Sequence, residues 1–177
     1  DGPAGKALLS LNPEDFPFHQ QVRLVGAYFR IGSENAAKAL LSTCANHKLG
    51  EEVRIFAMEA LLRWSIPMDT DPVLGHYRPT LQSTFSRTDF VSSMGENIRQ
   101  LVEKEKAPKL ASLLGKFVME AGISMDPVVL RKQVMDSNLN AEVRASNLRS
   151  LLSLNDKADH AMIEDLLDDP SELVRSV

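Results

Sequence analysis

The chain has 177 residues, 44% of them hydrophobic and 25% charged, ordinary values for a water-exposed domain with room for a core. Its net charge of −4 and its lack of a Lys/Arg cluster argue against a nucleic-acid module, which would carry a basic face. No apolar run approaches the ~20 residues of a bilayer-spanning helix, and the single cysteine, Cys44, excludes an intramolecular disulfide or a cysteine-rich metal site.

Residues 1–17 read as a partial opening helix. Asn12, Pro13, Glu14 and Asp15 supply an N-cap, a proline at the first helical position and acids in the first turn, predicting one short turn before Pro17. The pattern then predicts a helix over Phe18–Ile31, stopped at Gly32, and a second over Ser33–Asn46, opened by Ser33 and Glu34. Cys44 shares the apolar stripe of the second helix with Ala36, Ala37, Leu40 and Leu41. It reads as a small buried hydrophobe, because no neighbouring cation is present to activate the thiol.

Glu51–Trp64 is the clearest helix. Val53, Phe56, Ala57, Ala60, Leu61 and Trp64 recur at helical spacing on one face. Trp64 is expected to cover a junction, with its N–H bonded to a loop carbonyl. Pro67, Pro72, Gly75 and Pro79 then forbid regular helix, so residues 66–79 read as an inserted loop. In it, Asp71–Pro72 should begin a turn, Gly75 should take a positive φ, and Tyr77 should pack on a helix.

Helix returns near Thr88 and runs toward Lys104, with Met94–Gly95–Glu96 as a weak middle. Pro108 opens the next helix, which ends at Gly122. Asp126–Pro127 caps a partner over Pro127–Asp136, and Asn138–Asn140 forms the turn. Ala141–Leu154 and Lys157–Asp168 follow, and residues 171–177 begin a further, incomplete helix.

The helices repeat. Val22–Arg23, Val53–Arg54, Val143–Arg144 and Val174–Arg175 open corresponding helices, and Val22 to Val53 and Val143 to Val174 are each 31 residues apart. Such a period is the mark of a helical solenoid, in which each hairpin buries its apolar side against the next. The 90 residues from Val53 to Val143 hold the loop and a lengthened helix, or one more divergent repeat. Gly26 and Ala57, four residues after their valines, would let neighbouring helices cross closely. Asn147 and Ser150 depart from this and need hydrogen-bond partners. Neither end supplies a polar capping repeat, so the chain reads as a piece of a longer protein.

The segments "NPEDFPFHQQVRLVGAYFRIGSENAAKALL", "GEEVRIFAMEALLRW" and "NAEVRASNLRSLLSL" resemble HEAT repeats in their Asp/Asn-Pro turn, Val-Arg pair and Ala-x-x-Ala-Leu spacing. The resemblance implies an all-α fold: one solenoid over 1–177, of about four to five antiparallel helix pairs, that binds other proteins. More narrowly, "RWSIPMDTDPVLGHYRPTL" resembles a proline-bounded insert in the HEAT region of large secreted bacterial proteins. Those join a membrane-bound-dehydrogenase-like propeller to a c-type haem domain. The resemblance would make this chain the middle module and its parent an oxidoreductase of the periplasm or exterior. On the residues alone the cytoplasm stays open. No Cys-x-x-Cys-His is present, so no cofactor is expected here.

No catalytic constellation emerges, and the chain itself reads as a non-enzyme. His19, His47, His76 and His160 are scattered, without metalloprotease spacing. Asp69, Asp71, His76, Tyr77 and Arg78 make the insert the candidate interaction loop, since loops on rigid repeats carry contacts. Asp69, Asp71 and His76 lack the calcium-loop pattern. Arg23, Arg54, Arg144 and Arg175 read as a structural ladder, each bonding an acid or a backbone carbonyl at a turn, rather than as a basic stripe. Asp15, Glu51, Glu52, Asn140 and Asp169 stand at the matching turns. The expected function is a monomeric, non-catalytic scaffold holding a protein or an adjacent domain of the same polypeptide. The alternative is an enzyme on a HEAT-like solenoid, such as a DNA glycosylase, which would need a cationic cleft.

Overall fold

The computed structural model describes residues 2–66, 68–70, 75–77, 79, 83–154 and 160–177. Ten α-helices occur among them: α1 Pro3–Leu9, α2 Phe18–Ile31, α3 Glu34–Ala45, α4 Glu51–Leu62, α5 Arg87–Lys104, α6 Pro108–Ala121, α7 Pro127–Met135, α8 Ala141–Ser153, α9 His160–Leu167 and α10 Glu172–Arg175. No strand occurs among the described residues, only one isolated antiparallel bridge between Thr70 and Tyr77. The fold is all-α. Two compact units divide the chain, residues 1–96 and 97–177, with the boundary inside α5. Helix α5 runs unbroken through Met94, Gly95 and Glu96, the stretch expected to be its weak middle.

Local chemistry fixes the helix ends. Gly32 and Gly122 close α2 and α6 in the left-handed region, at φ 63° and 65°. A side chain there would meet its own backbone, which is why glycine stands at both. Ser33, Asp126 and Asn140 each accept an N–H from the first turn of the helix they open. The Asn12 cap produces a single 3-10 turn, Pro13–Asp15. Helix α1 precedes it and buries no residue.

In the first unit, α2, α3 and α4 pack on one another in all three pairings. Leu24, Val25, Tyr28 and Phe29 of α2, Ala36, Ala37, Leu40 and Cys44 of α3, and Val53, Ala57 and Leu61 of α4 are all buried. Each fully buried Leu or Phe contributes about 2 kcal/mol of transfer free energy. Gly26 and Ala57, the small residues four after Val22 and Val53, are buried as well. The Tyr28 hydroxyl donates to the Leu11 carbonyl at 3.3 Å, and burial pushes its pKa up. Gln21 donates through Nε2 to the carbonyls of Pro13 and Phe16, at 3.1 and 2.9 Å. These bonds tie the opening segment to α2.

In the second unit, α8 is central. It packs on α6, α7 and α10, and its residues Val143–Leu148, Ser150 and Leu151 are buried. Val134, Ala145, Leu148, Leu166 and Val174 form one apolar cluster. The buried polar groups find partners: Asn147 donates to Gln133 Oε1 at 3.2 Å, and Ser150 donates to the Ser146 carbonyl at 3.2 Å. Ser146 occupies space that a side chain on Gly115 would fill, its Oγ lying 2.1 Å from a Cβ placed there. Gly115 is therefore the contact at which α6 admits α8.

Candidate interaction surface

The arginines at the fourth position of α4 and of α8 are placed alike. The last carbonyls of a helix lack partners within it. Arg54 Nε donates to one such group, the Cys44 carbonyl at the end of α3, at 2.8 Å. Arg144 Nε donates to the Val134 carbonyl at the end of α7, at 2.7 Å. Each arginine stands ten residues after the carbonyl it reads. Both are buried, at 5% and 6% exposure, so neither belongs to a surface stripe.

Arg144 does more. Its terminal nitrogens grip both carboxylate oxygens of buried Asp169. The Ser171 N–H donates to Asp169 Oδ1 at 2.9 Å, and Arg175 donates to the Asp169 main-chain carbonyl at 2.5 Å. Burial pushes the Asp169 carboxyl upward. The Arg144 and Ser171 hydrogen bonds and the charges of Arg144 and Arg175 outweigh it, so its pKa ends below the usual carboxylate range. Arg175 itself is exposed, as is Arg23. The four arginines thus divide into two buried clasps and two surface positions.

The insert meets the helices at its two ends. Trp64 is buried at 1% exposure, stacks edge-on to Phe29 at 6.2 Å, and donates its indole N–H to the Phe85 carbonyl at 2.8 Å. Ser65, in the left-handed region at φ 68°, turns the chain out of α4 and reaches the same carbonyl at 3.4 Å. On the return side the Ser83 hydroxyl lies 2.6 Å from the Gly32 carbonyl, to which the Thr84 N–H also donates at 3.1 Å. Arg87 donates to the Leu62 carbonyl at 3.3 Å. Met68 is half-buried and lines a small groove with Val25, Phe29 and Phe56 of α2 and α4.

Between these anchors the candidate loop residues that are described face solvent. Asp69 and His76 are exposed, Gly75 takes φ 66°, and Tyr77 is 78% exposed. The expectation that Tyr77 packs on a helix is corrected: its backbone bridges Thr70 while its ring points to water. Asp71, Pro72 and Arg78 lie outside the described residues. Among the described residues no group of three or more His, Cys, Asp or Glu could hold a metal ion.

Sequence reasoning missed two features. Glu105 is buried at 3% exposure and accepts the N–H groups of Lys106 and Ala107 at the start of α6, at 3.0 and 2.8 Å. A carboxylate three residues before a helix that lacks a side-chain N-cap was the available signal. Glu14 accepts from Asn46 at 2.8 Å and Lys48 at 3.2 Å, and these bonds lower its pKa. Their separations of 32 and 34 residues give no local pattern. A groove of about 200 Å³ lies between the ends of α6 and α8. The Ser150 and Ser153 hydroxyls on its wall already donate to helix carbonyls.

No protein-family model matches this chain, and no curated protein or solved structure is significantly similar to it. No helix among the described residues is long and apolar enough to cross a membrane.

Proposed function

We propose that the chain is a non-catalytic helical-repeat scaffold of the HEAT type, stacked as antiparallel hairpins, which binds a protein partner or a neighbouring domain of a larger polypeptide. The observation that carries this reading is the repeated clasp: Arg54 to Cys44 and Arg144 to Val134, with identical spacing and the same atom. A device reproduced in two units is what a repeat predicts. Contacts within each unit support it too. Helices α2 and α4 touch across α3, and α6, α8 and α10 touch in succession.

The clasps also weigh against the glycosylase alternative, because two arginines of the column are buried on carbonyls and do not face a phosphate backbone. The insert is the first contact surface to test, since an aromatic 78% exposed on an anchored loop is the type of side chain that dominates protein interfaces. The test is photo-crosslinking from position 77 in the native host, followed by calorimetry with each purified captured protein. The reading predicts a partner that binds stoichiometrically and loses affinity at least tenfold on Tyr77→Ala. Absence of any such partner would remove its basis.

A further inference from the structure

We infer that the groove at the last turns of α6 and α8 is a docking site for a lysine side chain presented by a protein partner. The inference deepens the scaffold reading, on which it rests for the source of the lysine.

The groove has a volume of about 200 Å³ and its lining residues all belong to the second unit. Its floor is apolar, made by the buried side chains of Val118, Ile123 and Met125. Its rim is apolar and in solvent: Met119 is 49% exposed and Leu154 38%. Such a wall gains by exchanging its water for a run of methylenes. Methionine, unbranched and polarizable, adapts to the shape of what enters.

The polar part of the wall accepts hydrogen bonds. Ser150 Oγ donates to the Ser146 carbonyl at 3.2 Å, and Ser153 Oγ donates to the Ser150 carbonyl at 2.6 Å. A hydroxyl that has spent its one hydrogen offers only lone pairs. Two helices also end here: Gly122 closes α6 and Leu154 closes α8, and both residues line the groove. A helix C-terminus carries roughly half a negative elementary charge, so two ends at one groove favour a cation. None of the described residues lining it is basic. One cation of the chain already uses an acceptor of this wall, since Arg99 Nη1 donates to the Ser124 carbonyl at 3.4 Å.

A purely aliphatic side chain would leave the two hydroxyl oxygens desolvated and without a donor. A carboxylate would face the negative ends of both helices. Lysine meets both demands: its stem covers the apolar wall, and its ammonium brings three donors and a positive charge to the acceptors.

The experiment titrates the full chain, labelled with carbon-13 at the methionine methyls, and follows Met119 and Met125 by NMR. Met58, Met68 and Met94 of the first unit serve as internal references. Three probes share one stem: N-acetyl-lysine N-methylamide, its Nζ-acetylated form, and the norleucine analogue. The lysine probe is expected to shift Met119 and Met125 and to bind about tenfold more tightly than either control, the equivalent of one hydrogen bond to a charged group. Ser153→Ala should weaken the lysine probe and leave the norleucine probe unchanged. Met119→Lys, a change at a half-exposed helix position, should abolish the preference by placing a cation at the rim. Equal binding of the three probes, or no shift at Met119 and Met125 with any of them, overturns the inference. Either result leaves the scaffold reading to its own test at position 77. Failure to find a partner there removes the source of the lysine without changing the probe titrations.

Discussion

Two clasps built on the same atom sit in different surroundings. In the first unit Arg54 reads the end of α3 and lies beside the apolar pair of Cys44 and Met58, whose sulfurs are 3.9 Å apart. In the second, Arg144 reads the end of α7 and then spends its remaining nitrogens on Asp169, which in turn holds Ser171 and, through its main chain, Arg175. The shared part is a helix-end carbonyl satisfied by a guanidinium. The added part converts that bond into a junction of α7, α8 and α10. A guanidinium on a helix-end carbonyl fixes local packing in both units, and in the second a carboxylate ties further elements to it.

The comparison sharpens first at Arg144. Arg144→Ala leaves the Asp169 carboxylate and the Val134 carbonyl buried without their partner, and should cost about 3 kcal/mol. The loss should appear in hydrogen exchange of α7, α8 and α10. Asp169 also makes this unit sensitive to acid. Its folded pKa lies below its unfolded value, so the stabilisation is present above the ordinary carboxylate pKa and is lost as pH falls through the folded one. Asp169→Asn should flatten that acid dependence when unfolding is followed from pH 7 downward.

Arg54→Ala strands the buried Cys44 carbonyl and should cost about 2 kcal/mol. Its readouts belong to the first unit alone: Trp64 is the only tryptophan and Cys44 the only cysteine. Fluorescence and thiol labelling should report Arg54→Ala strongly.

Helix crossing gives the next effect. Gly115→Ala gains about 1 kcal/mol in helix propensity but drives a methyl into Ser146, for a net loss of about 1 kcal/mol. In a Ser146→Ala background the nearest atom left is a Cβ at 3.5 Å, so the same change should become stabilising. Chemical denaturation of the four proteins measures this reversal of sign. The smallest effect is expected at Ser65, where Ser65→Gly relieves a left-handed residue but gives up the hydroxyl bond to the Phe85 carbonyl, so the two should nearly cancel.

Much of the helical framework was legible because its signals are local. Gly32 and Gly122 as stops, Ser33, Asp126 and Asn140 as caps, and Pro108 as an opener each act within one turn of their own position. The bounds of α2 were readable to the residue for that reason. Helix α1 was poorly marked: its N-cap makes no side-chain bond and none of its residues is buried, so no periodicity announces it.

The candidate surface was legible in part. Prolines exposed the insert, and Trp64 at a helix end pointed to the loop carbonyl it reaches. The staple of Ser83 and Thr84 on Gly32 joins residues 51 and 52 apart, a distance at which sequence carries no pattern. Tyr77 looked like a packing residue because aromatics usually bury their area. In the structure its backbone pairs with Thr70 and its ring is left in solvent. The arginine column showed the right spacing, but not that Arg54 and Arg144 would be buried while Arg23 and Arg175 stay at the surface.

The account turns on two guanidinium groups holding two helix-end carbonyls. The direct measurement is the exchange with water of the arginine Nε–H protons, resolved by nitrogen-15 NMR of the side chains at neutral pH. The account predicts slow exchange at Arg54 and Arg144, with Arg23 exchanging fast. Exchange at Arg54 and Arg144 as fast as at Arg23 would contradict it.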